Sequence, residues 1–319
     1  MEGLTSLCSA TSVTNEVISM WSQLFNRLVN AIDTAMRVYM RIAGYIKPIR
    51  EGKTFFGAQL KCDIRDFIQR RIFFFAIYEP NLTYFIQKQV KEGDTFVDLG
   101  ANIGYFSMLA STIVGSSGRV IAIEAAPDTF AKLHANLDRN GYRNVECLNV
   151  AATKDPCYVD ILCQDAKNIG CNQVTVVDEA SGKVRGQPIL EILGDQVAHT
   201  NFIKIDIEGA EAPVLEQILL HRDRFPDRLT IVAEIKGDSC SYIDQFRNAG
   251  FQVSALPNTY RIGYLLIRHY LKQFHEDAFT VTIPIKQYAI EYTDYIFERC
   301  PQPPRQNHEL RDRSSTTVG

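Results

Sequence analysis

Among 319 residues there is a single tryptophan, no C-x-x-C pair among eight cysteines, and no strong excess of either charge. The cysteines (Cys8, Cys62, Cys147, Cys157, Cys163, Cys171, Cys240 and Cys300) form no zinc-spaced group with the histidines. A chain long enough to bury its own core needs no disulfide staple, so reduced thiols and a cytoplasmic location are expected. The net charge of −3 lacks the basic excess of a dedicated nucleic-acid binder, and no nucleic-acid partner is expected. The longest uncharged run, residues 99–118, is interrupted by Asn102, four serines and several glycines, which excludes a membrane span. The N-terminus shows no basic segment, apolar run and small-residue cleavage site, so no signal peptide is expected.

What remains is the composition of an ordinary folded protein, 46% hydrophobic and 22% charged, which sets aside disordered and fibrous classes. Apolar residues recur at helical spacing over 17–46 (Trp21, Leu24, Leu28, Ile32, Tyr39, Ile42), with a break expected at Gly44 and at Pro48. Basic residues (Arg27, Arg37, Arg41, then Lys47 and Arg50) occupy the other side. Residues 17–50 therefore suit either packing on the rest of the chain or a second subunit, or peripheral contact with an anionic membrane. Further helices are expected over 63–77 and 82–89, so that residues 1–88 form a helical cap or lid. Pro80 is suited to the first turn of the second of these helices.

From residue 89 to about 300 the pattern changes. Short apolar strands at 95–99, 119–124, 145–151, 202–207 and 229–235 alternate with helical stretches at 103–114, 127–140, 212–221 and 241–249. Alternation of this kind predicts an α/β fold, a doubly wound, Rossmann-like parallel sheet with helices on both faces. Residues 155–185 read as an antiparallel excursion with a turn at 180–183. Strands at 251–256, 279–283 and 295–299 complete the sheet, and 301–319 reads as a disordered tail.

The first strand runs into Val97-Asp98-Leu99-Gly100-Ala101-Asn102-Ile103-Gly104. A glycine turn between the first strand and its helix is where doubly wound sheets bind ligands, and Gly100 is expected to let backbone approach one. A dinucleotide fingerprint would need glycine at Asn102 and Tyr105, which argues against a nicotinamide-dependent oxidoreductase. Asp98, two residues before Gly100, would oppose a pyrophosphate and instead suits a cationic ligand such as S-adenosylmethionine. Its carboxylate end can be met by the helix N-terminus. Glu124, at the end of the second strand and followed by Ala125-Ala126-Pro127, is placed to accept ribose hydroxyls.

A second acidic group follows. Lys204, Asp206 and Glu208 share one face of a strand, with Ile203, Ile205 and Ile207 on the other. Charges on a central strand need partners or a cleft, and Lys204 is expected to pair with Asp206 or Glu234. Asp206 is the expected general base for a hydroxyl acceptor and Glu208 its orienting partner, and the three charges form the expected catalytic set. A divalent cation held by Asp206, Glu208 and Glu234 is the rival reading, and a buried ion network a third.

These segments, together with Tyr78-Glu79-Pro80 and Lys204-Ile205-Asp206-Ile207-Glu208-Gly209-Ala210-Glu211, resemble the class I methyltransferases and, more narrowly, the FkbM family. The resemblance runs from about residue 79 to 234. It implies an S-adenosylmethionine-dependent O-methyltransferase acting on a hydroxyl of a sugar, glycan or secondary metabolite. Asp98, Gly100, Asn102 and Gly104 would line the methionine end, with Glu124 and the adjoining Ala125 on the ribose and adenosine side. The rival is a degenerate methyltransferase fold serving as a binding or membrane-docking module.

Overall fold

The computed structural model describes residues 5–163, 172–177, 184–207, 209–235, 240–257, 283–284 and 293–299. Glu208, the turn at 180–183, the stretch 260–273, the strand residues 279–282 and the tail 301–319 lie outside the described residues.

The chain begins with α1 (Thr5–Ile46), followed by a hairpin of β1 (Ile49–Lys53) and β2 (Gln59–Asp63), then α2 (Phe67–Phe75) and α3 (Pro80–Gln89). Gly44 does not break α1; it is not among the positive-φ glycines and lies buried beside Ile64 and Arg65, and one glycine in a helix interior costs only about 1 kcal/mol. The helix stops only as it reaches Lys47-Pro48. The helix expected over 63–77 is shorter than its apolar pattern. Residues 59–63 pair with β1, and Asp66 caps α2 by accepting from the Gln69 N–H at 2.9 Å. Pro80 opens α3 as expected.

The central sheet is built from β3 (Thr95–Leu99), β4 (Arg119–Ile123), β5 (Val145–Leu148), β10 (Thr200–Ile205), β11 (Thr230–Glu234), β12 (Phe251–Pro257), β13 (Ile283–Pro284) and β14 (Thr293–Arg299). Its order is β13-β12-β14-β11-β10-β3-β4-β5, with β5 through β11 parallel and β14 inserted antiparallel between β11 and β12. From β3 the chain winds outward through α4 (Tyr105–Val114) and α5 (Pro127–Asn140) to β5, then returns to β10 on the other side of β3. That reversal places the switch point of the sheet between β3 and β10.

Two apolar layers cover the sheet. Phe96 and Phe202 stack at 4.9 Å on the face shared with α3 and α4, and the hairpin residues Leu60 and Cys62 belong to the same cluster. Val97, Leu99, Ile203 and Ile205 point to the other face, toward α7 (Glu211–Leu220) and α8 (Ser241–Asn248). The described thiols Cys62, Cys147, Cys157 and Cys240 are free, and burial pushes Cys62 up to about 12.

The strand expected over 145–151 divides at Asn149, whose amide donates to the carbonyls of Glu124 and Ala125 at 2.8 and 2.9 Å. Beyond it β6 (Val150–Ala152) joins a second sheet with β7 (Cys157–Cys163), β8 (Asn172–Val177) and β9 (Val184–Gln187), in the order β6-β9-β7-β8. The expected antiparallel excursion is thus a small sheet of its own, leading through α6 (Ile189–Leu193) to β10.

Candidate active site

The register Ile205↔Leu99↔Ile123 brings the carboxyl ends of β10, β3 and β4 level, so the turns that follow meet at one edge. Gly100 has φ +79°, and a Cβ there would overlap the Asp206 carbonyl oxygen. The close approach of the β3 and β10 turns by itself requires glycine at this position. Asn102, at φ 50°, lets its N–H reach Glu124, and its own side chain accepts from the Ile103 N–H at 2.8 Å. Gly104 opens α4 at φ +93°, a left-handed backbone that favours glycine, and a Cβ there would make the Leu133 side chain shift.

Asp98 is fully buried. One carboxylate oxygen accepts from the Ser107 hydroxyl at 2.6 Å, while Oδ1 accepts no hydrogen bond and faces the Lys204 ammonium at 3.4 Å. Lys204 also lies 3.5 Å from Asp206 Oδ2, 3.4 Å from the Gly100 carbonyl and 5.3 Å from the Phe106 ring centre. Burial alone would lower its pKa, but the carboxylates of Asp206 and Asp98, then Glu79 and Asp294, outweigh it and hold the ammonium charged. Lys204 thus bridges Asp98 and Asp206, where the sequence reading offered Asp206 or Glu234. Asp206 sits just past the end of β10 with its carboxylate about one-third exposed, so it opens outward while Asp98 stays inside.

Glu124 is nearly buried, and its two oxygens accept from the Asn102 N–H at 2.9 Å and the Ala126 N–H at 2.8 Å. Desolvation raises its pKa, opposed by those two amides. Each oxygen keeps a lone pair for another donor. Ala125 packs against the core of the small sheet formed by Ala151, Val159 and Val184.

The strand ends at Ile205, so the alternation that was to carry Glu208 on the same face stops two residues early. The turn beyond is pinned by Glu211, whose Oε1 accepts from the Ile207 N–H at 3.2 Å and the Gly209 N–H at 3.0 Å. Glu234 ends β11 opposite Asp294. No three acidic, histidine or cysteine residues come together as metal ligands among the described residues, and Glu208 of the suggested set lies outside them. His134 pairs with Asp138 on an exposed helix face, away from this edge.

Three residues went unread in the sequence. Asn149 holds the Glu124 backbone; a polar residue inside an apolar strand run was its one visible signal. Glu79 adopts φ 40° directly before Pro80, is nearly buried, and contributes to the field at Lys204. Asp294, on a strand distant in sequence, does the same.

Residues 98–253 match the family described as the Methyltransferase FkbM domain. Over 59 residues the chain is 37% identical to the protein-L-isoaspartate O-methyltransferase of Methanococcus aeolicus, covering 18% of this chain and 27% of that protein. A second such enzyme, from Archaeoglobus fulgidus, is 39% identical over 59 residues, again 18% and 27%. The chain therefore spans about a quarter of the length of these curated relatives. Among solved structures, methyltransferase FkbM from Methylobacillus flagellatus is 16% identical with a TM-score of 0.40, covering 69% of this chain and 48% of that one.

Proposed function

We propose that this chain, whose residues 98–253 match the Methyltransferase FkbM domain, is an S-adenosylmethionine-dependent O-methyltransferase acting on a hydroxyl of a sugar, glycan or secondary metabolite. The observation that carries the reading is the meeting of Asp98, Lys204 and Asp206 with Glu124 around the Gly100 turn, at the switch point of the sheet. These residues fit the cofactor. Asp98 Oδ1 is a buried acceptor without a hydrogen bond, and Glu124 has lone pairs to spare for ribose hydroxyls. Asp98, Gly100, Asn102 and Gly104 would hold the methionine end, and Glu124 with the adjoining Ala125 the ribose and adenosine side. When bound, S-adenosylmethionine supplies an electrophilic methyl group on a sulfonium centre.

The chain's own part is orientation and proton removal. The Lys204 ammonium lies beside the Asp206 carboxylate, which is partly exposed past the end of β10 and would accept the proton of the acceptor hydroxyl as that oxygen takes the methyl group that bound S-adenosylmethionine would supply. Aligning oxygen and methyl in a site shielded from water supplies the rest of the acceleration. The hydroxyl acceptor class rests on the family resemblance, and a second acidic group at Glu208 would orient it.

Titration calorimetry of the full chain with S-adenosylhomocysteine, with and without magnesium, tests the reading. Micromolar binding is expected, and its absence in folded protein overturns the enzyme reading in favour of a degenerate module. Glu124→Ala should weaken that binding on the order of tenfold or more, as loss of hydrogen bonds to a charged acceptor does. Because burial raises the Glu124 pKa above its ordinary value, affinity should fall as pH is lowered through that raised value. Asp206→Asn should keep the cofactor and lose roughly 10²–10⁴-fold in methyl transfer from radiolabelled S-adenosylmethionine, and an active variant would require a different base.

A further inference from the structure

Helix α1 (Thr5–Ile46) presents two apolar faces, of which the structure covers one. Val29, Met36, Met40 and Ala43 recur at helical spacing, with Met36 and Met40 packing against Phe74, Phe75 and Ile77. Tyr39 meets Phe74 edge-on at 5.7 Å and marks the border of this contact. The other face is a continuous stripe through Trp21, Leu24, Leu28, Val38, Ile42 and Tyr45, and all six are exposed, Trp21 to 63%. Phe25 and Ile46, also exposed, widen the stripe on one side.

The charges beside this stripe are mostly positive. Between Met20 and Arg50 there are five cations (Arg27, Arg37, Arg41, Lys47 and Arg50) and one acid, Asp33, in a chain whose net charge is −3. Asp33 is already bonded to Arg37 at 2.6 Å. Arg37 and Arg41 stand close enough to Arg70 of α2 to disfavour its charge, behind the larger effect of burial. Arg37 is paired with Asp33, while Arg27 and Arg41 stand exposed along the apolar stripe.

We propose that α1 is an interfacial membrane anchor, which lays Trp21, Leu24, Leu28 and Ile42 into an anionic phospholipid surface while Arg27 and Arg41 meet its headgroups. A second copy of the chain would use the same stripe as a coiled-coil seam, since the spacing 21-24-28-31-35-38-42-45 alternates three and four. Two features favour lipid. A two-stranded seam is flanked by charges of both signs, whereas here Phe25, Ile32, Tyr39 and Ile46 fill one flank and Arg27 and Arg41 stand on the other, with no acid to receive them. Aromatics and arginines along an exposed stripe are the composition of helices that lie in a bilayer interface. No helix of the described residues is long and apolar enough to cross a membrane, so α1 would lie on the surface. The inference is independent of the methyl-transfer reading.

Trp21 is the chain's only tryptophan, so its emission reports on this stripe directly. The full chain is titrated with vesicles of phosphatidylcholine alone, of phosphatidylcholine with phosphatidylserine, and of the latter with brominated acyl chains. A blue shift with phosphatidylserine vesicles, and quenching by the brominated chains, are expected. Arg27→Gln with Arg41→Gln should weaken vesicle affinity about 25-fold, at roughly fivefold per arginine. Leu24→Asp with Leu28→Asp should abolish the shift, with unchanged thermal unfolding as the control for folding. No shift with either vesicle, or equal affinity for neutral and anionic vesicles, overturns the proposal. So does a blue shift without vesicles that grows with protein concentration and is lost in Leu24→Asp, because it makes a second copy the occupant.

Discussion

At the carboxyl ends of β3 and β10, Lys204 is 3% exposed between two carboxylates, whereas along α1 Arg27 and Arg41 stand in solvent beside exposed Trp21 and Leu28. In the first region the fold removes water from charges and supplies their partners itself. In the second it leaves charge and apolar surface side by side and supplies neither partner nor cover. Removing either partner of a desolvated ion pair leaves an uncompensated buried charge, so the strand ends are committed to one arrangement. An exposed amphipathic stripe is committed to nothing within the chain. The difference separates what the protein needs to fold from what it presents outward.

The sharpest way to break this contrast is Lys204→Met. It leaves Asp98 fully buried, with one oxygen bonded to Ser107 and the other facing an apolar side chain. Removing one partner of a buried pair costs about 3–5 kcal/mol. Chemical denaturation should show a loss of this size, and pairing the change with Asp98→Asn should recover part of it. A loss under about 1 kcal/mol would place the pair in the same class as exposed ones.

A smaller effect is expected at Glu211. Its Oε1 accepts from two backbone N–H groups of the turn that follows Asp206. Glu211→Ala should cost about 1–3 kcal/mol, because both donors lose their acceptor. Glu211→Gln keeps that oxygen. Burial, with the nearby Asp206 charge adding to it, raises the Glu211 pKa above its ordinary value, against the lowering by its amide donors. The folded state then holds this proton at a pH where the unfolded chain has lost it, so stability falls as pH rises from the ordinary value through the raised one. The glutamine variant should lose that slope and be at least as stable at neutral pH, which thermal unfolding across pH would reveal.

The sheet was legible because its strands are short apolar runs bounded by glycine, proline or charge, as at Thr95–Leu99, and because its helices carry start and stop signals, as at Pro127–Asn140; in both the expected bounds agree with the structure. The expectation went astray where one side chain redirects the backbone. Asn149 turns an apolar run into two strands of different sheets, and Asp66 with the hairpin pairing shortens α2. Spacing put Asp98, Lys204 and Asp206 at the carboxyl ends of their strands, where the structure has them, because a two-residue period and a strand end are local facts. Asp98 as a partner of Lys204 was out of reach, since the pair depends on β10 lying beside β3 across 106 residues of chain. Glu79 and Asp294 were hidden for the same reason. Gly100 was noticed for its turn, but the atom that demands glycine is a carbonyl on another strand.

The smallest effect expected is at Leu24, and its smallness is the point. Leu24 is 46% exposed on the uncovered stripe of α1. An apolar side chain in a core loses about 2–5 kcal/mol when truncated, because its removal leaves a cavity. Leu24→Asp leaves no cavity and buries no charge, and it adds an acid one helical turn from Arg27. Its effect on unfolding should stay within about 0.5 kcal/mol. Thermal unfolding of the full chain without lipid measures it. A loss above about 2 kcal/mol would mean that another part of the molecule covers the stripe in solution, and the contrast between a closed site and an open helix would fail. A negligible loss leaves the leucine with no folding role, so that whatever retains an apolar stripe there acts from outside the chain.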